Sequence, residues 1–187
     1  MTSSAAPAQR EVWTIGHWTR SEGEFLHVLR AQHLDLVVDV RAQPGSRRNP
    51  QFGRDVLPQW LASAGVGYVH LAELGGRRRK ADVDPSVNAG WRHPSFKNYA
   101  DYTLSAEFAA GVHRLIDLAS SHRVVIMCGE PMPWRCHRLL LANALAARGW
   151  TVWHLMDDGE PTRHELGKWG AVPAVDEQCS VTYPAVT

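Results

Sequence analysis

Five short apolar runs, separated by helix-patterned segments, constrain this chain more than any other feature. The runs are Val12–Ile15, Leu36–Val40, Val66–Leu71, Val124–Met127 and Thr151–Leu155. Each has the length of a buried strand and is too short for a helix. A capping box, Ser21-Glu-Gly-Glu24, opens the first intervening helix, whose Phe25, Leu26 and Leu29 share one face. Val56, Leu57, Trp60, Leu61 and Ala64 give the second, with Pro58 in its first turn and Gly65 closing it. Tyr99, Tyr102, Phe108, Val112, Leu115 and Ile116 mark one further helix, and Leu139–Arg148 makes the last, ending at Gly149. Strands alternating with helices build βαβ units. The expected fold class is therefore α/β, a single Rossmann-like three-layer sandwich with a mainly parallel sheet of about five strands.

Right-handed crossovers in such a fold carry the C-terminal ends of all parallel strands to one rim, where open α/β sheets receive their ligands. The polar residues at those ends are His17, Asp39 with Arg41, His70, Cys128 with Glu130, and His154. The densest chemistry follows the fourth strand: Cys128, Glu130, Cys136, His137 and Arg138 fall on one strand-to-helix connection. A thiol placed at the start of a helix has its thiolate favoured by the dipole, and Arg135 and Arg138 push the same way. Cys136 is thus the better candidate for a reactive thiol, and Cys128 the better candidate for an inert buried one. Glu130 suits general acid or base work, or else an ion pair with Arg138 that locks the loop. The arginine spacing is not that of a cysteine-phosphatase cradle: five residues after Cys128 comes Trp134 and then Arg135. A metal held by Cys128, Cys136, His137 and rim histidines is a weaker reading, because the eight-residue separation of the thiols matches no standard zinc spacing. No metal ligand set and no cofactor is assigned, and no phosphate-loop lysine or Gly-x-Gly-x-x-Gly motif is present.

Asp39 and Arg41 point to one face of their strand, either as a local ion pair or as part of a ligand site. Arg41 also opens a turn-rich loop, with Pro44, Gly45 and Ser46, that suits a phosphate or carboxylate. The long stretch from Gly75 to Pro94 has little periodicity and carries the basic run Arg77-Arg-Arg-Lys80. Most such runs are simply solvated, and that is the favoured reading; the alternative is that, on the same rim as Arg41, it makes an anion-binding lip. The substrate-binding set expected from these patterns is His17, Asp39, Arg41, Ser46, His70, Gly75, Gly76 and Tyr99.

Composition limits the function classes. The net charge of +1 over 187 residues makes the whole protein no electrostatic trap for nucleic acid, so anion affinity has to come from local clusters. No apolar run has the length of a membrane span, and 1–10 is small and polar, which suits a disordered tail. The expected organisation is that tail, one domain over 11–160, and a C-terminal extension over 161–187 that docks loosely. A cytoplasmic location follows as an expectation, with Cys128, Cys136 and Cys179 as reduced thiols.

Thr14-Ile-Gly-His17, Asp39-Val-Arg41 with Pro44 and Ser46, Pro50-x-Phe52, Leu74-Gly-Gly76 and Met127-Cys-x-Glu130 followed by Cys136-His-Arg138 together resemble the domain of unknown function 488 family. The resemblance runs from about Thr14 to Leu155. It departs from the family pattern at Trp18, where Ser or Thr is usual, and in the basic stretch after Gly76. It implies a compact α/β fold with a site built from those motifs, and it implies no reaction. The leading expectation is a small enzyme acting on a phosphorylated or nucleic-acid-derived substrate, with Cys128, Glu130, Cys136, His137 and Arg138 as the chemical groups. The alternatives are a non-catalytic nucleic-acid or anion-binding module and, more weakly, a metal-binding redox or sensor protein. Expected partners are an anionic small molecule or nucleic acid, with no membrane; the sequence assigns no oligomeric state.

Overall fold

A computed structural model describes residues 10–156 and 160–186. Apart from Arg10, the tail expected over 1–10 lies outside the described residues. Five parallel strands, β1 (Glu11–Gly16), β2 (Leu36–Asp39), β3 (Gly67–His70), β4 (Val124–Cys128) and β5 (Thr151–Leu155), form the sheet in the order β3-β2-β4-β1-β5. The side chains alternate between two cores, as a pleated strand requires. Val12, Leu36, Val38, Val124 and Ile126 face one core, and Trp13, Ile15, Val37, Val125 and Met127 face the other. Helices α1 (Glu22–Ala31) and α2 (Leu57–Ser63) cover the second core through Phe25, Leu29, Leu57 and Leu61. Helices α3 (Pro94–Tyr102), α4 (Ala106–Ser121) and α5 (Arg138–Ala147) cover the first through Tyr99, Phe108, Leu115 and Leu140. This is the Rossmann-like three-layer sandwich.

The connections decide where a ligand can enter. From β1 the chain leaves over the α1 face toward β2, whereas from the adjacent β4 it leaves over the α5 face toward β5. Neighbouring strands whose continuations part to opposite faces open a crevice beyond their C-terminal ends. Here the crevice lies between Gly16-His17 and Cys128-Gly129, and two further backbone bonds hold it in register, His17 N–H to the Cys128 carbonyl and Trp18 N–H to the Gly129 carbonyl. Gly16 is required at this point. A Cβ there would stand 2.0 Å from the Glu130 carbonyl oxygen, so any side chain would push the Glu130 loop off the strand end.

Two expectations need correction. The helix expected from Tyr99 to Ile116 is two helices, because Ser105 caps α4 by accepting a hydrogen bond from the Phe108 amide and so ends the first segment ahead of it. The C-terminal segment is docked tightly. Strand β6 (Thr162–Arg163) pairs antiparallel with β5 as a sixth strand, and β7 (Ala174–Val175) with β8 (Val181–Thr182) forms a small hairpin. Tyr183, which follows β8, is 1% exposed. Its amide donates to Asn88 Oδ1, and its hydroxyl accepts from Asn143 Nδ2 at 2.8 Å. A two-residue strand has no readable period, which is why the sequence pattern missed it.

Asn143 belongs to a line of buried polar groups whose hydrogen-bond direction is fixed end to end. His164 Nε2–H donates to Asn143 Oδ1 at 2.8 Å, which leaves His164 Nδ1 to accept from His154 Nε2–H at 3.0 Å. His154 Nδ1 therefore accepts from the Thr14 hydroxyl at 2.8 Å, and Thr14 Oγ1 in turn accepts from the Arg138 guanidinium at 3.2 Å. Both imidazoles have to be neutral for this line to close. Burial drives the pKa of His154 down to about 3, with the neighbouring His164 and Arg138 adding to it, and burial drives that of His164 down to about 4.

A histidine with a depressed folded pKa stabilises the fold above its unfolded pKa and loses that contribution as pH falls toward the folded value. The unfolded chain takes up these protons near about pH 6.5, so the loss begins there and continues to about pH 3–4. Each such histidine steepens the fall by about 1.4 kcal/mol per pH unit. Urea unfolding between pH 8 and 5 should show a plateau followed by this decline. Over the same range the ring resonances of His154 and His164 should stay those of neutral imidazoles in the folded protein.

Candidate functional site

A cavity of about 530 Å³ opens at the crevice. His17 from the end of β1, Arg41 and Ser46 from beyond β2, Gly76 from beyond β3, Cys128 and Glu130 from beyond β4, and Cys136 and His137 ahead of α5 all line it, together with Tyr99 of α3. Four strand ends and two helices thus bring nine of the sequence-selected residues together. Gly129, Ala42, Gln43 and Gly45 line it too, and their direct adjacency to Cys128, Arg41 and Ser46 was the available signal for them. Ser95 and Phe96 have no local signal and arrive only through the docking of α3.

Four selected residues do not reach the cavity wall. Asp39 is fully buried behind Arg41, bound to its Nε at 2.9 Å and to its terminal nitrogen at 2.7 Å, and it also accepts from the Tyr68 hydroxyl at 2.6 Å. His70 donates from Nε2 to the Arg41 carbonyl. Gly75 packs its α-carbon against Ala42, where a Cβ would lie at 2.9 Å. Arg138 lies beneath the floor, 1% exposed. His154, also expected at the rim, is one layer down in the buried polar line.

Arg41 reaches the cavity as a guanidinium already neutralised. Besides the Asp39 bonds, it donates to the Phe52 carbonyl at 2.9 Å and to His17 Nε2 at 3.4 Å, which leaves one of its five N–H groups for a ligand. His17 receives that bond as a neutral ring. Its Nδ1–H donates to the Trp18 carbonyl, Phe52 stacks on it at 4.3 Å, and burial lowers its pKa to about 4.

The basic run after Gly76 does not act as one patch. Arg78 folds back over the Tyr102 ring at 3.7 Å and donates to the Gly75 and Ala72 carbonyls, so it braces the loop. Arg77 alone of the run turns to the cavity, and Arg135 joins it from the far side.

The floor is the thiol cluster. Cys136 does not begin α5. It ends a short 3₁₀ turn (Pro133–Arg135), and His137 is the N-cap residue of α5. His137 Nε2–H donates to the Val40 carbonyl at 3.0 Å, which leaves Nδ1 facing Cys136 Sγ at 3.5 Å. The ring cannot swing away, since Gly76 is pressed against it and Tyr99 stands edge-on at 5.1 Å. The ligand atoms of Cys128, Cys136 and His137 all lie within 4.8 Å of one another. A hydrogen bond from the Cys128 thiol holds the Cys136 thiol well below its ordinary pKa; burial opposes this, and His137 and Arg138 reinforce it. The same bond, with burial, pushes Cys128 well above the ordinary thiol range. Of the two thiols, Cys136 is the one whose ionisation the surroundings favour, and Cys128 the one whose ionisation they oppose.

Arg138 supplies the field. It donates to Thr14 Oγ1 and to the main-chain carbonyls of Glu130 and Pro131, while its Nε is buried with no partner. Among the described residues no carboxylate pairs with it. The Glu130 side chain is therefore not the lock on this loop. Arg138 grips the Glu130 backbone, and the carboxylate is left lining the cavity.

The family profile described as domain of unknown function DUF488 matches residues 22–145, more than half of the chain. The chain belongs to the DUF488 family. The matched segment holds the Asp39-Val-Arg41, Leu74-Gly-Gly76 and Cys128 to Arg138 motifs and begins after His17. Neither a curated protein nor a solved structure matches the chain. In this DUF488 protein no described helix is long and apolar enough to cross a membrane.

The glycine at 76 sets the site's geometry. A Cβ there would meet His137 Nδ1 at 2.4 Å, while one at Gly45, on the same cavity wall, would meet nothing within 4 Å. Gly76→Ala should cost about 1–3 kcal/mol of unfolding free energy as an overpacking change and move the His137 ring off Cys136. Gly45→Ala should be nearly silent. Chemical denaturation of both variants, with the His137 ring shifts, checks this.

Proposed function

We propose that this protein is a small cysteine-dependent enzyme acting on a phosphorylated or nucleic-acid-derived substrate in the cavity at the C-terminal rim. The observation that carries the reading is the clustering of Cys136 with Cys128 and His137 in the wall of that cavity, a setting that with the buried Arg138 favours the Cys136 thiolate. A thiolate is the competent nucleophile of a cysteine, and a guanidinium without a carboxylate partner favours it. His137, with Nε2 committed to Val40, holds Nδ1 toward Sγ and orients the thiolate. Sγ then attacks the electrophilic atom of the substrate, and the leaving group departs with a proton from Glu130, the unpaired acid on the same wall. Water then attacks the same atom, gives a proton back to Glu130, and sulfur leaves as the thiolate.

Arg77 and Arg135 at the mouth, the remaining N–H of Arg41 and the Ser46 hydroxyl supply donors for an anionic group. Ser46 Oγ already accepts from the Asn49 amide, so its own hydrogen is available to the ligand. A second reading, a thiolate–imidazole metal centre, draws on the 4.8 Å spacing of Cys128, Cys136 and His137 and on the Val40 carbonyl that orients the ring. The buried positive charge of Arg138 beside it disfavours a cation and favours the metal-free thiolate.

Turnover and equilibrium binding of phosphate monoesters, nucleotides and short oligonucleotides test this. Cys136→Ser should lower kcat by more than about a hundredfold and leave binding intact. Arg77→Gln and Arg135→Gln should weaken binding most at low salt. Salt-dependent oligonucleotide binding with no turnover, indifferent to Cys136, would make the protein a binding module. Stoichiometric zinc lost in Cys136→Ser would favour the metal centre.

A further inference from the structure

We infer that Cys128 and Cys136 form a reversible intramolecular disulfide when the cavity admits a hydroperoxide, with Cys136 as the attacking and Cys128 as the resolving sulfur. The inference deepens the reading of Cys136 as the reactive thiol and rests on it. Both sulfurs line the same cavity, within 4.8 Å of each other, so a small oxidant that reaches one finds the other beside it. Their settings differ: Cys136 faces His137 Nδ1 at 3.5 Å, which favours it as the attacking sulfur, whereas Cys128 is the last residue of β4.

The atoms balance in two steps. The Cys136 thiolate attacks the distal oxygen of the hydroperoxide; the O–O bond breaks, and the alkoxide or hydroxide leaves with a proton as alcohol or water. Sulfur is now a sulfenic acid, oxidised by two electrons, and the peroxide has been reduced by two. Cys128, as thiolate, then attacks the Cys136 sulfur, the S–O bond breaks and water leaves. The product is a disulfide with no net change at any other residue. Before oxidation the interaction with Cys136, burial and the charge on Cys136 all oppose ionisation of Cys128. Conversion of that thiolate to a neutral sulfenic acid removes the charge and releases the Cys128 proton, so the first step triggers the second.

Local structure allows the closure. Cys128 ends β4, a fixed strand, whereas Cys136 follows a 3₁₀ turn and precedes α5, outside any regular helix or strand. Arg138 fixes the Glu130 and Pro131 backbone, so the closure falls to the turn from Met132 to Cys136, whose backbone bonds are internal and which can shift as the sulfurs close to about 2.05 Å. Closing the bond consumes the nucleophile and leaves Arg138 without its counter-charge, so the oxidised protein is inactive toward its substrate and recovers on reduction. Cys179 serves as an internal control: it lies with Arg10 and Trp150, ahead of β1 and β5, at the opposite edge of the sheet.

The experiment treats the intact protein with hydrogen peroxide, blocks remaining thiols under denaturing conditions and maps the peptides by mass. The expected result is loss of two of the three free thiols, a Cys128–Cys136 linked peptide two hydrogens lighter, an unmodified Cys179, and full recovery with dithiothreitol. Cys136 should react at least about tenfold faster than Cys179. In Cys128→Ser, Cys136 should stop at the sulfenic acid, trapped by dimedone, and proceed to the sulfinic acid with more peroxide. Cys136→Ser should leave Cys128 reduced at the same dose. The inference is overturned if wild-type Cys136 overoxidises with no linked peptide, or if the disulfide found contains Cys179. Alkylation of Cys136 by iodoacetamide at about pH 6, well below the ordinary thiol pKa, separates the two failures. Rapid alkylation without a linked peptide removes the disulfide and keeps the thiolate reading, whereas slow alkylation removes both.

Discussion

A single buried guanidinium, Arg138, ties the fold of this protein to its chemistry. An unpaired buried charge is costly, and removing its partners costs several kcal/mol. The chain meets that cost with neutral oxygens and a thiolate. Thr14 from the central strand, the main-chain carbonyls of Glu130 and Pro131, and the field of Cys136 surround the Arg138 head group. The same bonds fix the loop that carries Glu130 and shape the cavity floor. Through Thr14 the charge reaches His154, His164, Asn143 and Tyr183, so the docking of the C-terminal segment and the state of the site share one polar line.

The two arginines of the crevice have different roles, and each is set by what lies behind it. Arg41 faces the cavity with Asp39 at its back, so its charge is balanced and its work is to hold His17, Phe52 and the strand exit in place. Arg138 has no acid and projects its field forward into the thiol cluster. Both arginines favour a neutral His17 ring, after burial, and Arg138 also favours the Cys136 thiolate, so the basic lining and these two states agree.

Much of this was legible in the sequence, for a physical reason. Period-two alternation and helix spacing depend on local burial, so the five parallel strands and the convergence of His17, Arg41, Cys128 and Glu130 on one rim follow from pattern and handedness alone. The nearness of Cys128 to Cys136 and His137 follows from a loop that has to turn from a strand end into a helix. What was not legible depends on distant partners. Ser105 splits one amphipathic pattern into two helices by a single hydroxyl. Arg78 leaves the basic run for the face of Tyr102, and Phe96 reaches the cavity wall with the docking of α3, stacked on Trp91 at 4.8 Å. The roles of Tyr183 and Asn88 rest on a contact between residues 95 apart in the chain. No local pattern records these.

The central claim is that Cys136 is a thiolate at neutral pH because Cys128 and Arg138 make it one. The most direct measurement is a titration of ultraviolet thiolate absorbance in the reduced, metal-stripped protein, compared with Cys136→Ser. The expected result is a thiolate absorbance in the wild type that appears well below the ordinary thiol range and is absent in Cys136→Ser. Three thiols that all ionise near the ordinary value, with no difference at about pH 6 between wild type and Cys136→Ser, would contradict it.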